Sequence, residues 1–377
     1  MKITKLLCVL FLITFIGITT AQEPEVAIYV SDAGNFNNPP WQILKFDQNG
    51  ENPEVFIDDD DGHIAWPQDI VFLDDDNTVL ISSLNSGLIT RHNATTGVFI
   101  ENFASDIGGP TRMKIGSDNL LYVLQWQGNG NVFRYELDGT FVDEFTDTGV
   151  PQSIGIDWDT DGNLYVASFS GDSVEKFDSN GVFIETFIDS NLVGPTNIWF
   201  EDNGDLIVID YNGGSVKRFD SDGNFLGVFI DGISFAEGFD FFPNGDILIG
   251  DGNNSAVNRY SSNGTFIEVF IESNAGDLLT PNAIVRREIP LSIEDAFASN
   301  SIVTPTIGTL FTVDIEDTSK LDSIKIYNVL GQLTTTLDLN NTSIQWNAQE
   351  YAEGIYFMKT IGIDGSQQTQ KVIVKKE

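Results

Sequence analysis

Histidine chemistry has little to work with in this chain. Two histidines occur, His63 and His92, so a three-histidine zinc centre is excluded by count. No spacing supports a Ser-His-Asp triad either. His92 falls in a slot that otherwise holds aromatics and reads as a packing substitute. His63 lies in the loop Asp-Gly-His-Ile and reads as a surface residue. Asp157-x-Asp159-x-Asp161-Gly162 opens like a calcium loop, but Ser168 stands where the bidentate Glu belongs. The segment therefore reads as a turn between two strands, like Glu201-Asp202-Asn203-Gly204 and Phe242-Pro243-Asn244-Gly245. The run Asp58–Asp61 reads as a solvated acidic loop.

A richer constellation emerges when residues are compared across a repeat. Ile154 to Phe187 contains four short apolar runs separated by Asp-Thr-Asp-Gly, Phe-Ser-Gly-Asp and Ser-Asn-Gly, all turn signals. The third run of each such unit carries Phe46, His92, Tyr135, Phe177, Phe219 or Tyr260. The fourth carries Phe56, Phe103, Phe145, Phe187, Phe229 or Phe270. Successive members lie 41 to 47 residues apart, and four strands at that period specify a β-propeller. The fold expected is all-β: six blades over residues 22–290, with inner strands lining a central channel. The first unit lacks its inner strand and opens on Ala27–Asp32, while a spare inner strand, Pro281–Val285, follows the sixth. Pairing the two gives Velcro closure and removes an open sheet edge.

This closure brings distant polar residues to one mouth. The residue after the inner-strand proline (after Ala236 in the sixth unit) is Gln68, Thr111, Gln152, Thr196, Glu237 or Asn282; the next inward includes Asp69, Arg112, Ser153 and Asn197. Second strands end at Asp32, Ser83, Gln125, Ser168, Asp210 and Asp251. The loops beyond add Trp41, Trp126, Phe169 and Tyr211, and Trp66 precedes the second unit's inner strand. The ligand-binding candidates are therefore Gln68, Arg112, Gln152, Thr196, Asn197, Glu237, Asn282, Trp41, Trp66, Trp126 and Tyr211. Aromatic faces cover apolar sugar or peptide surface, and amides and carboxylates fix hydroxyls or amides. Arg112 and Glu237, three blades apart, are expected to face each other across the funnel. The main reading is a binding module for an extracellular peptide or glycan, acting as a monomer. A second reading is a divalent-metal hydrolase in which Glu237, Asp210 and Asp251, with Asn197 and Asn282, supply oxygen ligands to Ca2+.

The repeats, such as Gly162-Asn163-Leu164-Tyr165-Val166-Ala167 followed by Ser173-Val174-Glu175-Lys176-Phe177-Asp178, resemble NHL repeats. They also resemble propellers of the SMP-30/gluconolactonase and streptogramin-lyase type. The resemblance implies the propeller fold and, in the lactonases, a metal at the channel mouth. Lyase chemistry in those families depends on histidine and is disfavoured here.

The ends of the chain give its destination. Met1–Ala21 has Lys2 and Lys5 before an apolar core at Leu6–Ile18 and small residues before Gln22, the pattern of a signal peptide. The single cysteine, Cys8, lies inside it, so the mature chain carries no disulfide. Residues 291–300 read as a linker and residues 301–377 as a small antiparallel β-sandwich. That unit resembles the type A C-terminal sorting domain of the Bacteroidetes type IX secretion system. The resemblance rests on Ile326-Tyr327-Asn328-Val329-Leu330-Gly331-Gln332, Gly354-Ile355-Tyr356-Phe357-Met358-Lys359 and Lys371-Val372-Ile373-Val374-Lys375-Lys376. Thr304-Pro305-Thr306-Ile307-Gly308 stands where the family usually has Pro-Asn-Pro. The resemblance implies export, with release or attachment at the outer-membrane surface. A net charge of −37 excludes nucleic acid and disfavours anionic membrane. No run after the leader reaches transmembrane length.

Overall fold

The computed structural model describes residues 25–289, 302–313, 320–339, 344–363 and 367–376. The expected signal peptide with Cys8, and the linker, lie outside the described residues. The chain divides into two compact units, Met1–Ile289 and Pro290–Glu377.

The first unit is six four-stranded antiparallel sheets. Blades two to six run in sequence order over Pro67–Ala104, Pro110–Glu144, Ser153–Ile188, Pro195–Asp231 and Ala236–Ile271. Blade one takes Glu25–Asp32, Gln42–Asp47 and Glu54–Ile57 from the N-terminal side and its inner strand, Pro281–Ile289, from the far end. Tyr29 faces Val285 and Ser31 faces Ala283 across that closing pair. The Asp32 carboxylate tightens the closure by accepting from the backbone N–H of Thr280 at 2.8 Å and of Leu279 at 3.2 Å.

Hydrophobic packing lies between blades. Leu80, Ile89 and Phe103 of blade two pack with Met113, Leu121, Val123 and Tyr135 of blade three; Trp199, Ile207 and Ile209 of blade five pack with Ile247, Ile249 and Tyr260 of blade six. Both faces of each sheet are thus buried, which explains why the strands do not alternate cleanly between apolar and polar. His92 is one of the packed residues. Its Nδ1 lies 3.0 Å from the Gly97 carbonyl and its Nε2 2.9 Å from Thr90 Oγ1. His63 stacks on Phe99 at 3.5 Å.

Hydroxyls on second and inner strands reach the inner strand of the next blade. Ser31 donates to the Pro67 carbonyl, Ser82 to that of Thr111, Thr111 to that of Ser153 and Thr196 to that of Ala236. The Asp157–Gly162 segment is a closed turn. Asp159 Oδ1 accepts from the N–H of Asp161 and of Asn163, and its Oδ2 from the Asn163 amide and the Tyr165 hydroxyl.

The second unit has a three-stranded sheet of Val303–Thr304, Leu310–Val313 and Gln345–Asn347. A five-stranded sheet is built from Ile307–Gly308, Gln367–Val374, Gly354–Gly362, Leu321–Asn328 and Leu333–Leu337. Phe311, Ile324, Ile326, Trp346, Met358 and Val372 form its core. The pairing is not wholly antiparallel: Ile307 and Gly308 run parallel to Ile373 and Val374.

Candidate functional site

Groups from four other blades, two side chains and two backbone carbonyls, converge on Arg112 of blade three, which shows that the strands carrying them line the central axis. Its Nε donates to Asn197 Oδ1 at 2.9 Å, and Nη1 to the Gln68 carbonyl. Nη2 donates to Glu237 Oε1 at 2.5 Å and to the Asn282 carbonyl at 2.7 Å. Asn197 in turn donates to the Glu237 carbonyl at 2.5 Å. With its amide oriented to satisfy both ends, Gln68 donates to Glu237 Oε1 at 3.2 Å. Its oxygen then accepts from Trp66 Nε1 at 2.7 Å and Asn282 Nδ2 at 2.6 Å.

Arg112 and Glu237 meet as expected, but they do not line an open funnel. Their side chains are only 5% and 8% exposed, and Gln68, Asn197 and Asn282 are buried with them. A desolvated charge requires its partners close by, so the polar residues pair with one another and plug the channel. Burial raises the pKa of the Glu237 carboxyl, and the Arg112 guanidinium pulls it back down. Asp69, held by the N–H of Ile70 and of Met113, is likewise raised by burial, again opposed by Arg112. Thr196 is fully buried and serves as an inter-blade stitch.

The proposed oxygen ligands for calcium do not gather. Glu237 is held by Arg112. Asp210 accepts from Lys217 Nζ at 2.5 Å and the Val193 N–H at 2.6 Å. Asp251 accepts from Asn254 and Asn258. Among the described residues no group of three or more His, Cys, Asp or Glu side chains is placed to hold a metal ion. This donor set does not fit the metal-centred arrangement. Second-strand ends serve instead as clamps on the loops approaching inner strands: Asp32 on Leu279 and Thr280, Gln125 on Gly108, Asp210 on Val193.

Above the plug lies a crown of aromatic rings. A backbone hydrogen bond repeated in every blade defines two facing positions. The residue after the second strand donates to the residue before the inner strand: Ala33 to Thr280, Leu84 to Trp66, Trp126 to Gly109, Phe169 to Gln152, Tyr211 to Gly194 and Gly252 to Phe235. This pattern corrects the slot of Gln152. It precedes the inner strand, and the residue matching Gln68 in blade four is Ile154.

The facing positions divide the work. Where the residue before the inner strand is glycine, as at Gly109 and Gly194, the ring comes from the residue after the second strand, Trp126 or Tyr211. Where the residue after the second strand is Leu84 or Gly252, the ring comes from the one before the inner strand, Trp66 or Phe235. A Cβ added to Gly252 would lie 2.5 Å from the Phe235 carbonyl, so only glycine leaves room there. Blade four supplies Phe169. Blade one has neither, and Phe36 takes the place from its second loop, with Trp41 Nε1 donating to its carbonyl at 2.8 Å. Each blade thus contributes one ring. Trp126 meets Phe169 at 5.1 Å, Phe169 meets Tyr211 at 5.8 Å and Tyr211 meets Phe235 at 5.1 Å; Phe36 and Trp66 meet at 5.3 Å.

Three of the rings sit on left-handed backbone, at φ 54° for Phe36, 55° for Trp66 and 57° for Phe235. Bulky residues there are strained by about 1–3 kcal/mol each. Phe36 and Phe235 remain 38% and 44% exposed. Burial raises the pKa of the Tyr211 hydroxyl, with Glu237 adding to the rise. Phe36 and Phe235 were not among the sequence candidates. The trade between ring and small residue at the two facing positions was the signal for Phe235; Phe36 carries none.

Fold and comparisons define a β-propeller with a secretion tail. Residues 305–375 match the secretion system C-terminal sorting domain. The chain therefore carries a type IX sorting tail, is handled by that secretion machinery, and is delivered outside the cell or to its surface. Among the described residues no helix is long and apolar enough to cross a membrane. The propeller resembles a chain of the nidogen/laminin complex, with 15% identity, TM-score 0.56, and coverage of 70% of this chain and 98% of that one. It also resembles a protein of unknown function from Bacteroides caccae, with 14% identity, TM-score 0.55, and coverage of 70% and 99%. At these identities the likeness is one of fold. No curated protein matches the chain in sequence.

Proposed function

We propose that the propeller, whose repeats we read as NHL-like, is a binding module that takes an extracellular peptide or glycan on the aromatic crown and performs no chemistry of its own. The observation that carries this is one ring per blade, kept even where it requires Trp66 or Phe235 on left-handed backbone that glycine occupies in sibling blades. Strain of that kind persists where function or neighbours demand it. Flat aromatic faces suit the apolar face of a sugar or a peptide side chain. The Arg112 plug beneath gives the crown a rigid floor. The acidic surface keeps an exported monomer soluble and repels polyanions.

Glycan and peptide arrays probed with the mature chain test the reading, followed by titration of the best hit. The expected result is a saturable change in tryptophan fluorescence that disappears in Trp126→Ala/Tyr211→Ala. Arrays that yield no hit from either class would refute it.

A further inference from the structure

The six seams between blades are not equivalent. At three of them an inner-strand carboxylate accepts from the backbone N–H of the next blade: Asp69 from Met113 at 2.7 Å, Asp157 from Phe200 at 2.9 Å and Asp240 from Arg286 at 2.5 Å. Two of these seams are also drawn together by glycine. A Cβ at Gly155 would lie 2.1 Å from the Thr196 carbonyl, and one at Gly238 would lie 2.9 Å from the Ala283 backbone. The intervening seams, one–two, three–four and five–six, have no such clamp among the described residues. Each opens as a groove on the face opposite the crown, with volumes of about 480, 480 and 530 Å³, the first extending past blade two to Met113, Lys114 and Ile115 of blade three.

The grooves differ in their aromatic walls, and only the three–four groove is lined by a tryptophan that is not buried. In the five–six groove Trp199 is buried and stacked on Phe239 at 4.7 Å. In the one–two groove the Arg287 guanidinium covers Phe72 at 4.1 Å. In the three–four groove Trp158 is half-buried and lines the wall, meeting Tyr122 edge-to-face at 5.1 Å, with Lys114 Nζ 5.8 Å from its ring centre, farther than the guanidinium stands from Phe72. Around it stand Lys114, paired with Asp157 across the seam at 2.6 Å, Arg134, paired with Asp143 at 2.7 Å, Asp118, which accepts from the Tyr122 hydroxyl at 2.9 Å, and the exposed Thr160 and Ser179 with their hydroxyls.

We propose that the groove between blades three and four is a second ligand site, taking a neutral saccharide with one sugar ring against Trp158. Its volume falls within the usual range for small-ligand sites. The charged groups of its wall are already paired, Lys114 with Asp157 at 2.6 Å and Arg134 with Asp143 at 2.7 Å and Asp118 at 3.3 Å, which leaves no free charge for an ionic ligand. An anionic ligand meets a chain of net charge −37, and a cationic one meets Lys114 and Arg134. Sugar hydroxyls both donate and accept, which matches the mixed wall. The site is independent of the crown.

Isothermal titration of the mature full chain with six neutral hexasaccharides (cello-, xylo-, manno-, laminari-, malto- and chitohexaose) tests this. At least one is expected to bind. Trp158→Ala and Thr160→Arg, the latter filling the groove from an exposed rim position, should each raise its Kd by about tenfold or more. The crown variant Trp126→Ala/Tyr211→Ala should leave that Kd unchanged. The proposal is overturned if no hexasaccharide binds at about 10 mM. It is equally overturned if Thr160→Arg leaves binding within about twofold, or if only the crown variant abolishes it.

Discussion

Replacing Arg112 by Met keeps most of the side-chain volume and deletes the guanidinium. Four hydrogen bonds go with it, to Gln68, Asn197, Glu237 and Asn282. The Glu237 carboxylate stays buried, with the Gln68 amide still donating to it at 3.2 Å. Removing one partner of a buried ion pair costs about 3–5 kcal/mol. That is a large share of the roughly 5–15 kcal/mol by which a domain is stable. In the folded wild type Glu237 is already raised above its ordinary 4.5, with Arg112 opposing the rise; without Arg112 it rises further. A carboxyl raised in the folded state loses stability as pH climbs from its unfolded value through its folded one, and regains it as pH falls. The Arg112→Met deficit should therefore shrink between pH 7 and pH 5. Adding Glu237→Met removes the stranded charge and should recover about 2–3 kcal/mol. Urea unfolding followed by tryptophan fluorescence at both pH values measures all three. A deficit below about 1 kcal/mol, one unchanged by pH, or an additive double variant would refute the hub.

Gly155→Val forces side-chain atoms into the Thr196 carbonyl and should cost at least about 1–3 kcal/mol, read as a lower urea midpoint. Asp32→Ala frees the N–H groups of Leu279 and Thr280. Amide exchange over Pro281–Ile289 should accelerate more than in any other inner strand. Burial raises the Asp240 carboxyl to about 6, from 3.8, so its contribution to stability falls as pH rises from 3.8 to 6. Asp240→Asn should flatten that part of the stability–pH curve by about 1–3 kcal/mol, measured by urea unfolding in steps from pH 4 to pH 7.

The ring architecture was legible because its signals are local or strictly periodic. Aromatics such as Phe177 and Phe187 mark strands three and four, Asp159-x-Asp161-Gly162 writes its own turn, and the surplus strand after blade six announces closure. What Arg112 touches was not legible. Its reach to Glu237 and Asn197 follows from the width of the channel, which depends on how closely inner strands approach. The same limit hid the plug, since a polar ring reads alike whether it faces water or itself. Gln152 was placed two positions too far along because Pro151 precedes it, whereas prolines in other blades begin the inner strand itself. The grouping of seams turns on Gly155, Gly238 and three carboxylates, whose meaning appears only when neighbouring strands are side by side.

The central claim is that the crown is a recognition surface set on an inert plug. Its most direct test is solution NMR of the mature chain with indole N–H resonances assigned, titrated with the best array hit. The account predicts saturable shifts at Trp66 and Trp126 and none at Trp346 of the sorting unit. Saturable binding that leaves Trp66 and Trp126 unmoved would contradict it.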